Sequence, residues 1–237
     1  MLSYILITME YPDTQLIIQF PLNPEFSLEN FIVCPENEVA YRAVVEMVQD
    51  NHLPFNPLFI YGESGSGKTH LLTAASKILD VTEIINLKGE VEAGLSSFIQ
   101  KALLIDNIHL ISPEVSKEVF RLFNKFYIEG KKIIITSLLP PNQRSNVDEH
   151  LGSRLSSGMV VRLSLLNDET RLKIMKKIAK DSGFDLTEEV ASYILTHVRR
   201  DIGSLQDALK RAIEYSLMTK QRLTVPLVRK VIHAGDT

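Results

Sequence analysis

The chain has little with which to build a covalent or metallic framework. Its 237 residues include one cysteine, Cys34, so no internal disulfide can form and a reducing compartment suits it. Cys34 itself reads as a small buried apolar residue. The six histidines show no metal-ligand spacing, which leaves only a metal that arrives with a ligand. Tryptophan is absent, and no apolar run approaches the ~20 residues of a membrane span. Met1-Leu2-Ser3-Tyr4-Ile5-Leu6-Ile7-Thr8 is apolar, but it is short and has neither a basic n-region nor a small-residue cleavage site, so it reads as a poor signal peptide. The expectation is a cytoplasmic protein without a membrane partner, with Met9 as an alternative start. Net charge is also scarce. Twenty-six Lys+Arg against 29 Asp+Glu leave −3, which excludes a strongly basic coat and predicts little direct DNA binding. The mildly basic stretch 164–237 reads as a solvated helix surface.

What the chain does have is a glycine-rich stretch, Tyr61-Gly62-Glu63-Ser64-Gly65-Ser66-Gly67-Lys68-Thr69-His70. It follows the apolar run Leu58-Phe59-Ile60 and opens a helical pattern at Lys68. The spacing G-x-x-x-x-G-K-[ST] between strand and helix is that of a polyphosphate cradle. Gly62, Gly65 and Gly67 let backbone N–H groups turn toward phosphates, with Ser66 and His70 in the same loop and first turn. Lys68 reaches the β/γ-phosphates, Thr69 offers its hydroxyl to Mg²⁺, and the helix start adds its positive end.

In chain order, residues 9–26 are extended, with Pro12, Pro21 and Pro24 around Gln15-Leu16-Ile17-Ile18-Gln19-Phe20. This run either joins a sheet as an edge strand of the main domain or binds a partner in extended form. Glu38 to Val48 is the first helix, by the spacing of its apolar residues. The P-loop helix runs to about Leu79, Val81 to Asn86 reads as a second strand, and residues 89–101 give one short helix. Ala102-Leu103-Leu104-Ile105-Asp106-Asn107 is an apolar run ending in an acid, the pattern of a buried parallel strand whose carboxyl end faces a ligand crevice. Asp106 is therefore the expected Mg²⁺-side carboxylate. Pro113 starts a helix whose stripe of Val115, Val119, Phe120, Leu122, Phe123 and Phe126 reads as core, and Gly130 ends it. Ile133 to Thr136 and Met159 to Leu163 are further strands.

Strands alternating with helices predict an α/β fold with a right-handed parallel sheet flanked by helices. From Asp168 the pattern is helical only, with starts at Asp168-Glu169-Thr170, at Leu186-Thr187-Glu188-Glu189, at Ile202 and at Thr224-Val225-Pro226. The expected organisation is an extended segment over 1–25, a nucleotide-binding domain over 26–165 and a small all-helical lid over 166–237.

A P-loop base followed by a helical lid is the AAA+ plan, and particular words narrow it. Asn56-Pro57-Leu58-Phe59-Ile60-Tyr61-Gly62, Gly65-Ser66-Gly67-Lys68-Thr69-His70-Leu71-Leu72, Leu103-Leu104-Ile105-Asp106-Asn107-Ile108, Pro140-Pro141 and Leu151-Gly152-Ser153-Arg154-Leu155 with Gly158 closely resemble the DnaA/Hda-type AAA+ family. The likeness runs from about Phe26 to the C-terminus. It implies that Phe31-Ile32-Val33 approaches the adenine, with Ile32 and Val33 in its pocket. ATP or ADP with Mg²⁺ is then the ligand, and Arg154 is an arginine finger aimed at a neighbouring subunit's nucleotide. Of the family's branches, the sequence is similar to the Hda type, the regulators that switch the initiator off. Asn86 to Lys101 is too short for the initiator's single-strand-binding wedge, and a helix-turn-helix domain after the lid is not expected. That branch carries a peptide for the replicative sliding clamp, which Gln15, Leu16, Ile18 and Phe20 resemble. The implied partners are the initiator DnaA and the sliding clamp, with self-association also open.

Three departures bear on the chain's own turnover. Asn107 stands where a second acid often polarises the attacking water, and it has no basic oxygen to take a proton. By the resemblance, the family's sensor acid falls at Leu138, leaving Thr136 and Ser137 as polar candidates, and its lid arginine falls at Gly203, with Arg199 or Arg200 as substitutes. Tight nucleotide binding with slow hydrolysis is expected. A helicase-loader-like AAA+ ATPase and a non-catalytic adaptor that blocks oligomerisation of the initiator are the rival readings.

Overall fold

The computed structural model describes the chain outside residues 1–3, 12–13, 22–25, 50–54, 89–98, 144–146, 148 and 234–237; for 4–11 and 14–21 it describes the backbone. The short helix expected over 89–101 lies largely outside the described residues. The chain divides into two compact units, Phe26–Leu166 and a second made of Asn167–Thr237 with Met1–Glu25.

The first unit is built on a five-stranded parallel sheet of β3 (Leu58–Tyr61), β4 (Ile85–Asn86), β5 (Ala102–Asp106), β6 (Lys132–Ser137) and β7 (Met159–Arg162), in the order β4-β5-β6-β3-β7. Adjacent residues of each strand serve opposite faces, as the two-residue period of a strand requires. Leu58, Ile60, Leu104 and Ile134 pack with Val44, Met47, Leu71 and Leu72 from α1 (Glu38–Gln49) and α2 (Lys68–Ile78). Phe59, Leu103, Ile105, Ile133 and Ile135 pack on the other face with Phe123, Phe126, Leu151 and Leu155 from α3 (Pro113–Ile128) and α4 (Glu149–Leu155). Burying each of these large side chains contributes about 1.5–3 kcal/mol. Because both of their faces are covered, β3, β5 and β6 carry continuous apolar runs, whereas the outer strands β4 and β7 include exposed residues.

The stripe on α3 is core as its spacing implies. Val119, Leu122, Phe123 and Phe126 are buried, with Val115 and Phe120 partly buried against them. Ser112 accepts from the Val115 N–H at 3.3 Å, Pro113 occupies the first turn, and Gly130, at φ 65°, closes the helix. The strand expected over Val81–Asn86 is shorter, because β4 is an outer strand paired with β5 only at Ile85 and Asn86. Upstream, the Thr82 N–H turns to the Gln100 side chain at 3.3 Å instead. At the start of β3, the Met159 N–H donates to the Pro57 carbonyl at 2.9 Å. Gly158 lies so close there that any Cβ would overlap the Pro57 carbonyl oxygen.

In the second unit, α5 (Asp168–Asp181), α6 (Glu188–His197), α7 (Ile202–Thr219) and α8 (Val225–His233) bury a core that includes Met175, Ile194, Leu209, Ile213 and Val228. Asn167, Thr187 and Asp201 cap the first three by accepting from the N–H three residues on. The cap of α5 is thus Asn167, one residue before the expected start. At the other end of the sequence, β1 (Tyr4–Tyr11) and β2 (Thr14–Pro21) pair antiparallel from Tyr4↔Pro21 to Tyr11↔Thr14 as a separate two-stranded sheet. Residues 15–20 are therefore not an edge strand of the main sheet, because β1 supplies their main-chain partner.

Candidate functional site

The P-loop joins β3 to α2 at the carboxyl end of the sheet, where ligands of α/β proteins gather. Its shape depends on glycine. A Cβ on Gly62 would overlap the Leu163 carbonyl oxygen, and Gly67, at φ 104°, faces the Phe31 ring, 3.0 Å from where its Cβ would stand. Gly65, at φ 77°, supplies the intervening turn. Ser66 is buried and its N–H donates to the Glu63 carbonyl at 3.3 Å.

Lys68 is 6% exposed. Its Nζ donates to the carbonyls of Gly62 and Glu63, both at 2.7 Å, and lies 3.4 Å from Ser66 Oγ. Burial pushes its pKa down to about 8, opposed by the carboxylates of Asp106 and Glu63. An anion beside this ammonium would restore the charge that burial disfavours.

Asp106, at the end of β5, is 2% exposed and held from two sides. Thr69 Oγ1 donates to its Oδ2 at 3.0 Å, and Thr136 Oγ1 donates to its Oδ1. The Thr136 hydroxyl also accepts from the Asn107 N–H at 3.2 Å. Asn107 takes a left-handed backbone at φ 60° and donates from Nδ2 to Asn86 Oδ1 at 3.1 Å. Hydroxyl and carboxylate at this spacing form an oxygen-rich pair suited to a hard cation. Among the described residues, no group of three or more His, Cys, Asp or Glu could hold a metal.

The segment before α1 is shaped by Asn37, which the sequence reading passed over. Buried at 2% exposure, it donates from Nδ2 to the Ile32 carbonyl at 3.0 Å and accepts from the Cys34 N–H at 2.8 Å. These two bonds hold the loop that carries Ile32, and they leave Val33 44% exposed at its tip. Cys34 is partly exposed rather than buried, since the loop holds it at the surface. The Cys34-Pro35-Glu36-Asn37 run was a readable signal, because asparagine side chains bond their own nearby backbone in turns. His70 directs Nε2 to the Ser27 carbonyl at 2.8 Å, and its ring packs on Phe26 and Phe31 at centroid distances of 4.9 and 5.2 Å. Its side chain is thus committed, and what His70 offers a phosphate is a backbone N–H in the first turn of α2.

Arg154 lies in the last turn of α4, exposed, with its guanidinium 5.8 Å from the centre of the Tyr127 ring. Among the described residues it has no acidic partner. Gln15, Leu16, Ile18 and Phe20 fall on β2, opposite Glu10, Met9, Ile7 and Ile5, in the other unit from the P-loop.

Residues 22–90 and 96–162 match the model of the bacterial DnaA ATPase domain, and residues 168–232 match that of the Hda lid domain. The chain belongs to the DnaA/Hda-type AAA+ family. It is 31% identical over 239 residues to the chromosomal replication initiator protein DnaA of Thermodesulfovibrio yellowstonii, covering 92% of this chain and 55% of that protein. Domain III of the Thermotoga maritima replication initiation protein DnaA superposes with a TM-score of 0.76 at 28% identity, over 90% of this chain and 98% of that one. AMPPCP-bound DnaA from Aquifex aeolicus gives a TM-score of 0.68 at 30% identity, over 82% and 67%. The chain spans about half the length of the curated relatives it matches.

The family departures have definite places. Leu138, just past β6, is 38% exposed, and its N–H donates to His109 Nδ1 at 3.3 Å. Gly203 is in the first turn of α7. Arg199 and Arg200 precede it and lie 3.4 Å from Asp201 and Asp168 respectively. Among the described residues no helix is long and apolar enough to cross a membrane.

Proposed function

We propose that this chain is a cytoplasmic, adenine-nucleotide-binding regulator of DNA replication initiation. It docks on the sliding clamp through Gln15, Leu16, Ile18 and Phe20, and it offers Arg154 to ATP held by the initiator DnaA. The observation that carries the reading is Arg154 itself, an exposed guanidinium without an acidic partner among the described residues. The chain's own cradle already has its cation in Lys68. The match of residues 168–232 to the Hda lid supports the same branch. Supplied in trans, such a donor stabilises charge on the transferring phosphoryl group and accelerates hydrolysis by about 10³–10⁵.

The chain's own ligand is ATP or ADP. Gly65, Gly67 and His70 offer backbone N–H groups to the phosphates, and Gly62 and Ser66, whose own N–H groups donate to the Ser137 and Glu63 carbonyls, shape the loop around them. Lys68 pairs with the phosphates, and Ile32 and Val33 line the base. Thr69 and Asp106 hold Mg²⁺, which when bound neutralises phosphate charge. With Asn107 unable to take a proton, the chain's own turnover is slow, and basal hydrolysis of the wild type barely exceeds that of Lys68→Ala.

The test is single-turnover hydrolysis of ATP bound to DnaA, with the clamp loaded on DNA. Arg154→Ala abolishes stimulation while the chain still binds clamp and initiator. Full stimulation by Arg154→Ala would sink the reading, and no stimulation even by the wild type would favour an adaptor that only blocks assembly.

A further inference from the structure

The feature beside Arg154 that this reading leaves unused is an aromatic ladder running out of the core. Phe123, fully buried among Ile105, Ile135, Leu151 and Leu155, lies nearly parallel to Tyr127 one turn further along α3, with centroids 6.0 Å apart and planes 13° from parallel. Tyr127 is 41% exposed, and the Arg154 guanidinium lies 5.8 Å from its ring centre. A guanidinium within about 6 Å of a ring face is attracted by the ring's quadrupole.

We infer that Tyr127 is the positioning residue for Arg154: its ring, backed by Phe123, holds the guanidinium extended at the surface before any partner arrives. The inference rests on the reading of Arg154 as a donor to a partner's phosphoryl group. Two further contacts fix the frame. Leu151 and Leu155, one turn apart on α4, are buried against the same cluster as Phe123, which anchors the backbone on both sides of Arg154. The Gly130 N–H donates to the Tyr127 carbonyl at 3.1 Å, which fixes the other end at the close of α3.

An exposed arginine is otherwise free in many rotamers, and ordering it on contact with a partner costs binding or rate. A ring platform meets that ordering cost in the free protein. Its contribution is confined to the one side chain, so it acts on the step in which the guanidinium meets developing charge and not on docking.

The experiment compares the full-length wild type with Tyr127→Leu, Tyr127→Phe, Arg154→Ala and the Tyr127→Leu/Arg154→Ala double variant, using ATP-charged DnaA with clamp loaded on DNA. Leucine keeps apolar bulk and removes the π face; phenylalanine keeps the face. The expected result is a two- to fivefold fall in the maximal stimulated rate for Tyr127→Leu, at an unchanged half-saturating concentration. Tyr127→Phe restores the rate, and the double variant is no worse than Arg154→Ala. Independently of activity, ring current shifts the Arg154 δ-methylene protons upfield in wild type and Tyr127→Phe, and the shift disappears in Tyr127→Leu. Three results would each overturn the inference: no upfield shift in the wild type, a wild-type rate for Tyr127→Leu, or a raised half-saturating concentration as its sole effect. A shift that follows the ring as expected, together with an Arg154→Ala variant of full activity, would overturn the reading of Arg154 instead and with it the rate effect.

Discussion

Thr136 donates its hydroxyl hydrogen to the Asp106 carboxylate across the β5–β6 pair. Both side chains are buried, and the same hydroxyl oxygen accepts from the Asn107 N–H. Thr136→Val keeps the shape but leaves a buried carboxylate oxygen and the part-buried Asn107 N–H without this partner, so urea unfolding should show a loss of about 2–3 kcal/mol. Thr136→Ser keeps the hydroxyl and should cost only about 1 kcal/mol for the missing methyl. Equal losses for the two would mean that the hydroxyl contributes nothing.

Two glycine substitutions should move stability in opposite directions. Gly62→Ala drives a Cβ into the Leu163 carbonyl and should cost about 1–3 kcal/mol, with loss of ADP-induced thermal stabilisation. Gly152→Ala, inside α4 with no atom within 4 Å of the new Cβ, should stabilise by about 0.5–1 kcal/mol. Thermal unfolding of both variants, with and without ADP, checks the pair.

The lid has a cap whose effect depends on pH. Burial raises the Asp201 pKa, but hydrogen bonds from the Ser204 N–H at 2.9 Å and Oγ at 2.8 Å, with the nearby Arg199, outweigh it and hold the carboxyl below its ordinary 3.8. A carboxyl depressed in the folded state adds stability above its unfolded pKa, and this is lost as pH falls through the folded one. Asp201→Ala should therefore cost about 1 kcal/mol between pH 5 and 8. The gap to wild type should narrow below the ordinary value of 3.8. A gap that widens in acid would contradict the sign.

Calorimetric titration of the sliding clamp with the full chain, beside a Gln15→Ala/Phe20→Ala version, tests the docking segment. Binding by the wild type that the double change abolishes is expected. Equal binding by both would move the contact elsewhere on the chain, and no binding by either would return residues 15–20 to a purely structural hairpin.

The sheet and its cradle were legible for a physical reason. β3, β5 and β6 are covered on both faces, so each is an unbroken apolar run, and the glycine spacing around Lys68 admits few alternatives. β4 was overread, because Val81 to Asn86 has strand-like composition while pairing is decided by a neighbour that reaches only two of its residues. Thr136 was visible as a polar residue at the end of a strand, although its two partners come from β5 and the turn beyond. The Tyr127 contact could not be read at all: it sits next to a core stripe in sequence, and only the packing of α4 on α3 brings Arg154 over its ring.

The close approach of Gly158 to Pro57 determines what can vary between the cradle and the arginine. Arg154 lies in the last turn of α4, its carbonyl accepts from the Ser157 N–H at 3.1 Å, and Gly158 just beyond meets the main chain leading into the P-loop strand. The spacing from nucleotide cradle to outward-facing guanidinium is therefore gauged by backbone against backbone. Side-chain substitutions along the way can alter stability, but they cannot lengthen that ruler.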